Sequence, residues 1–380
     1  MIPIEYRLDA AAEKEYIEKV LACIGEQSAN SYSDNLRQLL RNMKRVNISA
    51  GGKILKRAYK RFHMDYPDCY CLCMWLILSY EELEEIKAFL DKHMICYNLE
   101  KINAEAKHIW RKIKDIKSYH DLQNRRKKSY KYYPSLEVLL GKVIRYDKLY
   151  EKFEELITTY DKFSSQGINS WIVEKTEMNV CPYCNISYTY NRGNTVTAQL
   201  DHFYPKSEYS IFAVCFYNLI PSCSACNRMK YDGMESMASP YSQKAFENLR
   251  ISWNYKGVLD EKKYSKKDSL KTLEQMIEIK IITSEDTEEN NISKMKIKEA
   301  YQQHVDYASE IISKVKTYVN SESQKLICNI CASAGITPGE VERFYFGNYV
   351  KEFELKNRPL SKMTKDFYEE YVKVAKSSIH

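Results

Sequence analysis

Cys181-Pro-Tyr-Cys184 and Cys223-Ser-Ala-Cys226 are two C-x-x-C pairs separated by 38 residues, and no other feature restricts the folding of this chain as much. Two such pairs can supply four thiolates to one tetrahedral Zn²⁺. If they do, the intervening segment must return to where it began. Metal binding then contributes directly to the folding of a unit with little core of its own. Two coincidental pairs of buried thiols are the alternative. The other cysteines do not extend the pattern. Cys328 and Cys331 have the spacing but no second pair nearby, Cys69, Cys71 and Cys73 lie in an apolar run and read as core, and Cys215 reads as structural.

Around the knuckles the texture is short and broken. Residues 185–190 and 195–200 read as two β runs joined by Asn191-Arg-Gly-Asn194. Asn218-Leu-Ile-Pro221 is a further extended piece, and Cys223 to Met229 has no breaker and starts a helix. Residues 171–262 are therefore expected to form a compact ββα unit. Residues 1–170 and 263–380 read as helical. Glu13 to Ile24 and Glu81 to Phe89 have helix-forming composition. Ile297, Tyr301, Val305, Ala308, Ile312, Val315 and Val319 follow helical spacing as one long amphipathic helix, after an acidic loop at 284–289. A last helix is expected after Pro359. The expected fold is mainly α, with a small zinc-clamped ββα unit inserted between helical regions.

Charge is unevenly spread. The net charge is +7, yet residues 41–61 hold eight Lys or Arg and no acid, and residues 101–132 hold eleven basic and three acidic residues. Everything else carries about −9 (+7 less +16). Clustered positive charge is the footprint of a polyanion binder. Lys53, Lys56, Arg57, Lys60 and Arg61 fall on one helical stripe, with Ile54, Leu55, Ala58 and Phe62 opposite, on a helix expected to begin after Gly51-Gly52. The stripe points to contact between nucleic acid and the N-terminal region; a solvated face gives the same pattern. Arg125-Arg126-Lys127-Lys128 reads as an exposed loop or helix end. The 32 Tyr residues could stack bases, or reflect composition alone.

Between the knuckles lie Asp201 and His202, at the end of an expected strand, with Asn218 and Asn227 near the second Cys pair. A neutral imidazole can take a proton at cellular pH, and His202 is the only His between residues 121 and 303. On an extended backbone Asp201 points to the opposite side, so one residue can bind metal while its neighbour faces a water. Asn227 can add an oxygen ligand, and oxygen ligands suit Mg²⁺ or Mn²⁺. These are the parts of metal-assisted phosphodiester hydrolysis.

At Cys-Pro-Tyr-Cys (181–184), Leu-Asp-His-Phe-Tyr-Pro-Lys (200–206) and Asn-Leu-Ile-Pro-Ser-Cys-Ser-Ala-Cys-Asn-Arg-Met-Lys (218–230), the chain resembles the HNH, or ββα-metal, endonuclease superfamily. The resemblance covers about 80 residues, from 181 to about 260. It implies His202 as general base, Asp201 as a metal ligand, Asn218 as the Asn that braces the loop and the imidazole, and Asn227 as the last metal-binding position, often His in the family. Lys206 and Lys230 match basic positions and could touch phosphates, or be ordinary surface lysines. The family's common Gly pair is missing, and Ser207 to Phe216 fills that stretch. The Asp-His-Phe-Tyr-Pro-Lys version within a larger helical protein is similar to Septu-type anti-phage nucleases, which work beside an ATPase. DNA is the expected substrate. RNA such as tRNA is the second reading, and a non-catalytic zinc-stabilised nucleic-acid-binding module the third.

No N-terminal stretch has a secretory pattern, and the longest apolar run, Cys71 to Leu78, is far short of the roughly 20 residues of a membrane span. Twelve Cys without a signal fit a reducing cytoplasm.

Overall fold

The computed structural model describes residues 1–93, 153, 155–193, 195–230, 236–242, 244–256 and 270–377. Arg125–Lys128 and the rest of the 101–132 cluster lie outside them. Two compact units emerge, each built from separated stretches of chain. A helical unit comprises Arg7–Ile172 and Leu200–Ile220, and a cysteine unit comprises Met1–Tyr6, Val173–Gln199 and Pro221–His380. These units follow neither residue 262 nor a simple order along the chain. No described helix is long and apolar enough to cross a membrane.

The helical unit contains α1 (Ala10–Ile24), α2 (Glu26–Arg45), α3 (Ser49–Phe62), α4 (Tyr70–Leu76), α5 (Tyr80–His93) and α6 (Glu155–Asp161). Asp9 caps α1 by accepting from the N–H of Ala12 (2.8 Å). The apolar run from Cys71 to Leu78 is α4 and its exit, wholly buried, and Cys71 and Cys73 serve as core, as expected. The α3 helix starts at Ser49, four residues earlier than its sequence suggests, with Gly51 and Gly52 inside the first turn. Gly51 is there for proximity: a Cβ would lie 2.5 Å from the Leu40 carbonyl oxygen of α2.

The helix α7 (Ile168–Lys175) leads into the cysteine unit. The expected hairpin at 185–200 shrinks to two isolated bridges, Val180 with Tyr188 and Arg192 with Thr195. The reason is local. Asn185 adopts a left-handed backbone (φ 53°), which turns the chain back around the first knuckle. Strand structure starts later, as β1 (Gln199–His202), which pairs with β2 (Leu219–Ser222), and α8 (Ser224–Lys230) follows. The chain passes from one unit to the other within each of these strands.

The remainder of the cysteine unit is an antiparallel pair, β3 (Arg250–Tyr255) and β4 (Ile277–Ile282), with α9 (Leu270–Met276) before β4. It continues through α10 (Asp286–Lys294), α11 (Ile297–Gln302), α12 (Val305–Tyr318), α13 (Ser321–Ser333), α14 (Val341–Phe346) and α15 (Ser361–Ser377). Two expectations change here. The acidic stretch is no loop: Asp286, Glu288 and Glu289 form the first turn of α10, where carboxylates favour the helix dipole. Glu288 is also buried, and accepts from the N–H of Phe246 (2.7 Å). The long amphipathic helix is two helices, broken at Gln303–His304, although Ile297, Tyr301, Ala308, Ile312 and Val315 all reach the core.

The α15 helix organises this unit through a buried ion pair. Lys362 Nζ lies 2.6 Å from both carboxylate oxygens of Asp366 and donates to the Leu249 carbonyl (2.9 Å). Asp366 in turn accepts from the N–H of Ile251 (2.8 Å), so the pair pins the start of β3. Burial pulls the Lys362 ammonium below its ordinary pKa, with Asp366 opposing that shift. Removing one partner of such a pair strands a buried charge. Asp366→Ala is therefore expected to destabilise this unit by about 3–5 kcal/mol, read as a lower urea midpoint. A loss below ~1 kcal/mol would mean that the pair contributes only at the level of an exposed one.

Candidate functional site

The four knuckle cysteines converge. The Sγ atoms of Cys181, Cys184, Cys223 and Cys226 are all buried and all within 4.8 Å of one another. Cys184 Sγ and Cys223 Sγ are 4.0 Å apart, far from a disulfide length. A regular tetrahedron with zinc–sulfur bonds of about 2.3 Å places its sulfurs about 3.8 Å apart, so the cage suits a structural metal such as zinc. Two backbone amides support the donors: Ile186 N–H points to Cys184 Sγ and Cys226 N–H to Cys223 Sγ, each at 3.4 Å. Burial pushes Cys181 upward in pKa and hydrogen bonds with the neighbouring thiols do the same to Cys226, whereas hydrogen bonds from the other thiols pull Cys184 and Cys223 down. A bound cation would favour deprotonation of all four.

The first knuckle is not a free-standing ribbon. Tyr301 of α11 donates its hydroxyl to the Cys184 carbonyl (2.8 Å). Asn185, fully buried, donates its amide to the Leu355 carbonyl (3.1 Å) and accepts from the N–H of Lys362 (2.9 Å). The C-terminal helices thus carry the metal cage, a dependence the sequence did not suggest.

On α8, Asn227 donates its side-chain N–H to Gln199 Oε1 (2.8 Å), which leaves its carbonyl oxygen as the atom outside that bond. Lys230, at the end of the same helix, is buried (3 % exposed) and engaged with neighbours. That corrects the expectation of a phosphate-facing lysine there.

In the helical unit, Asp201 is buried and His202 half-buried, consecutive on β1. His202 Nε2 lies 2.9 Å from the Ala213 carbonyl oxygen. A carbonyl can only accept, so Nε2 carries a proton, and in the neutral tautomer the lone pair then falls on Nδ1. The loop that supplies this carbonyl is the one that replaces the Gly pair. Ile211, Phe212, Ala213 and Val214 are fully buried, so each carbonyl needs a donor. Each has a side-chain partner. Trp75 Nε1 donates to Ile211 (2.8 Å), Asn218 Nδ2 to Phe212 (3.1 Å), His202 to Ala213 and the Tyr16 hydroxyl to Val214 (2.9 Å).

Asn218 is fully buried and uses both ends of its amide. Its oxygen accepts from the N–H of Tyr204 (2.8 Å), and its nitrogen also donates to the Tyr204 carbonyl (3.1 Å). It therefore ties the segment after His202 to the loop that holds the His202 ring.

Tyr160 of α6 is a member of this site that no motif announces. Its ring meets His202 edge-to-face with centroids 4.3 Å apart, and its hydroxyl donates to the Leu200 carbonyl (3.3 Å). Burial, then the nearby Asp201 and Asp161 carboxylates, push its phenol well above the ordinary value. Lys206 sits over the Tyr160 ring (4.7 Å) and bonds Asp161 (3.0 Å), so it is partly neutralised before any phosphate arrives.

The basic stripe on α3 divides. Lys53, Lys56 and Lys60 are exposed. Arg57 instead bonds Glu82 (2.6 Å), and Arg61 bonds Glu13 while lying over the Phe62 ring (4.9 Å). Both arginines of the stripe thus already carry an acidic partner, although Arg61 remains exposed. Compared with known proteins, the chain matches no family model, no curated protein and no solved structure.

Elemental analysis is expected to find about one zinc per chain, with Cys223→Ser or Cys226→Ser losing both the metal and cooperative unfolding. Metal-free protein with an unchanged melting curve would contradict this. Tyr16→Phe leaves the Val214 carbonyl without its donor, at an expected cost of about 1–3 kcal/mol in a denaturant titration.

Proposed function

We propose that the protein is a metal-dependent endonuclease of the HNH type that hydrolyses phosphodiester bonds, DNA before RNA. The observation that carries this reading is the His202 imidazole, half-buried and held through Nε2 so that in its neutral form the basic nitrogen is Nδ1. A base held in one tautomer and one orientation is what proton removal from an attacking water requires. Asn218 and Tyr160 keep it there, one through the loop and one through the ring. The order of two short strands and a helix, flanked by the four cysteines, is compatible with a ββα-metal unit.

In this reading Asp201 supplies a carboxylate ligand for Mg²⁺ or Mn²⁺, and Asn227 keeps the ligand role its motif position assigns. Such a cation would neutralise charge on the phosphate. The four cysteines keep a separate structural zinc. Lys53, Lys56 and Lys60 supply long-range attraction for the polyanion. Unrestrained phosphodiester cleavage would be toxic to a cell, so we also propose control by a partner protein, of which an ATPase is one type.

His202→Ala is expected to lower the cleavage rate of plasmid or oligonucleotide by on the order of 10²–10⁴-fold, with zinc content near wild type and a melting temperature lowered no more than in Tyr16→Phe, since each loses one donor to a buried carbonyl. Raised Mn²⁺ should partly restore Asp201→Ala but not His202→Ala, because only the first lacks a metal ligand. Turnover of His202→Ala near the wild-type rate would refute the mechanism. Replacing Lys53, Lys56 and Lys60 with Glu should weaken nucleic-acid binding and lower the slope of log affinity against log salt by roughly one unit per lost contact. An unchanged slope would make the stripe a solvated face only.

A further inference from the structure

A second concave site lies in the cysteine unit, a groove of about 450 Å³ lined by Trp253, Asn254 and Tyr255 of β3 and by Glu370 and Tyr371 of α15. Three of its five lining residues are aromatic. The rings of Trp253 and Tyr371 are within 21° of parallel with centroids 6.3 Å apart, and Tyr255 meets Trp253 edge-on at 4.9 Å. Trp253 Nε1–H is shut off from solvent and has no hydrogen-bond partner among the described residues. An orphaned donor of this kind costs stability unless something supplies an acceptor. Around it stand groups of both signs. Lys316 of α12 lies 5.8 Å from the Trp253 ring centre and donates to the Tyr255 hydroxyl (3.3 Å). Glu370 accepts from the Ser252 hydroxyl through both oxygens (3.1 and 3.3 Å), which leaves acceptor capacity on its carboxylate.

The outer edge of β3 runs along this groove, so an added peptide strand must be weighed against a flat ring. Lys256 N–H bonds the Met276 carbonyl, so even-numbered residues of β3 face β4 and odd-numbered ones present their backbone outward. Two of those outward groups are already taken. The N–H of Ile251 bonds Asp366 (2.8 Å), and the Trp253 carbonyl lies 2.8 Å from the Asn254 side-chain amide, which donates to it once its nitrogen is turned to that side. A strand would find its ladder interrupted, whereas a planar ring needs no ladder.

We propose that this groove binds a nucleobase bearing an exocyclic amino group, from a free nucleotide or an unpaired strand. The base stacks on the aromatic wall, a small shift of the side chains that cover Trp253 Nε1–H lets that donor reach a ring acceptor, Glu370 accepts from the amino group, and Lys316 stands by for the phosphate. Stacking of this kind is worth about 1–3 kcal/mol per base. The site does not rest on the hydrolytic reading, because a mononucleotide has no phosphodiester link to cut.

Calorimetric titration of the full chain without divalent cation tests it, using AMP, GMP, CMP, UMP, single-stranded DNA and RNA decamers, and a proline-rich peptide. Expected are binding of the three amino-bearing nucleotides over UMP, and weakening by roughly 5- to 150-fold in Trp253→Ala. Trp253→Phe, which keeps a ring and removes the N–H, should fall between. Glu370→Gln should narrow the preference over UMP. Nucleotides without decamers would make the ligand a free nucleotide, and decamers as well would make it an unpaired strand. Should the variants misfold, ultraviolet cross-linking of a decamer to the wild-type chain decides, with adducts expected on Trp253, Tyr255 or Tyr371. Affinity equal in wild type and Trp253→Ala, adducts confined elsewhere, or binding of the peptide alone would overturn the proposal.

Discussion

Four consecutive carbonyls, from Ile211 to Val214, are sealed inside the helical unit, and a buried carbonyl without a donor is costly. The donors come from four separate places in the sequence: Tyr16 on α1, Trp75 on α4, His202 on β1 and Asn218 before β2. Much of the architecture follows from meeting that demand. The N-terminal helices supply two of the four donors, so they are part of the support of the candidate base. The imidazole is itself one of the donors, which couples its orientation to the integrity of the core.

The cysteine unit obeys a different constraint. Its metal cage is small, but its first knuckle is fastened to elements more than 100 residues away, by Tyr301 on the Cys184 carbonyl and by Lys362 on Asn185. Lys362 also pairs with Asp366, which holds β3. One helix therefore serves both the cage and the sheet that forms the aromatic groove.

What could be read from the residues was whatever rests on local spacing. The two C-x-x-C pairs meet as their spacing suggested, α8 begins directly after Cys223, and the apolar stripe from Ile297 to Val315 is core. Features set by distant partners could not be read. Nothing near Tyr160 marks it as a neighbour of His202, and Arg57 and Arg61 look like a binding surface until Glu82 and Glu13 fold against them. The β3–β4 pair was missed because its strands are joined by a long connection rather than a turn. Lys230 fits a motif position, but a motif carries no information about burial.

Both units are assembled from stretches that alternate along the chain, since Arg7–Ile172 needs Leu200–Ile220, and Met1–Tyr6 needs residues beyond Val173. On the ribosome the helices of the first 93 residues emerge long before the segment whose carbonyls Tyr16 and Trp75 bond. The N–H of Ile2 likewise waits for Pro182, and that of Ile4 longer still, for Pro240. Synthesis thus imposes an order in which His202 acquires its fixed orientation only after Ala213 has been made. Until that point the imidazole lacks the bond that orients it, and truncation at either unit's first boundary would not release a self-sufficient half.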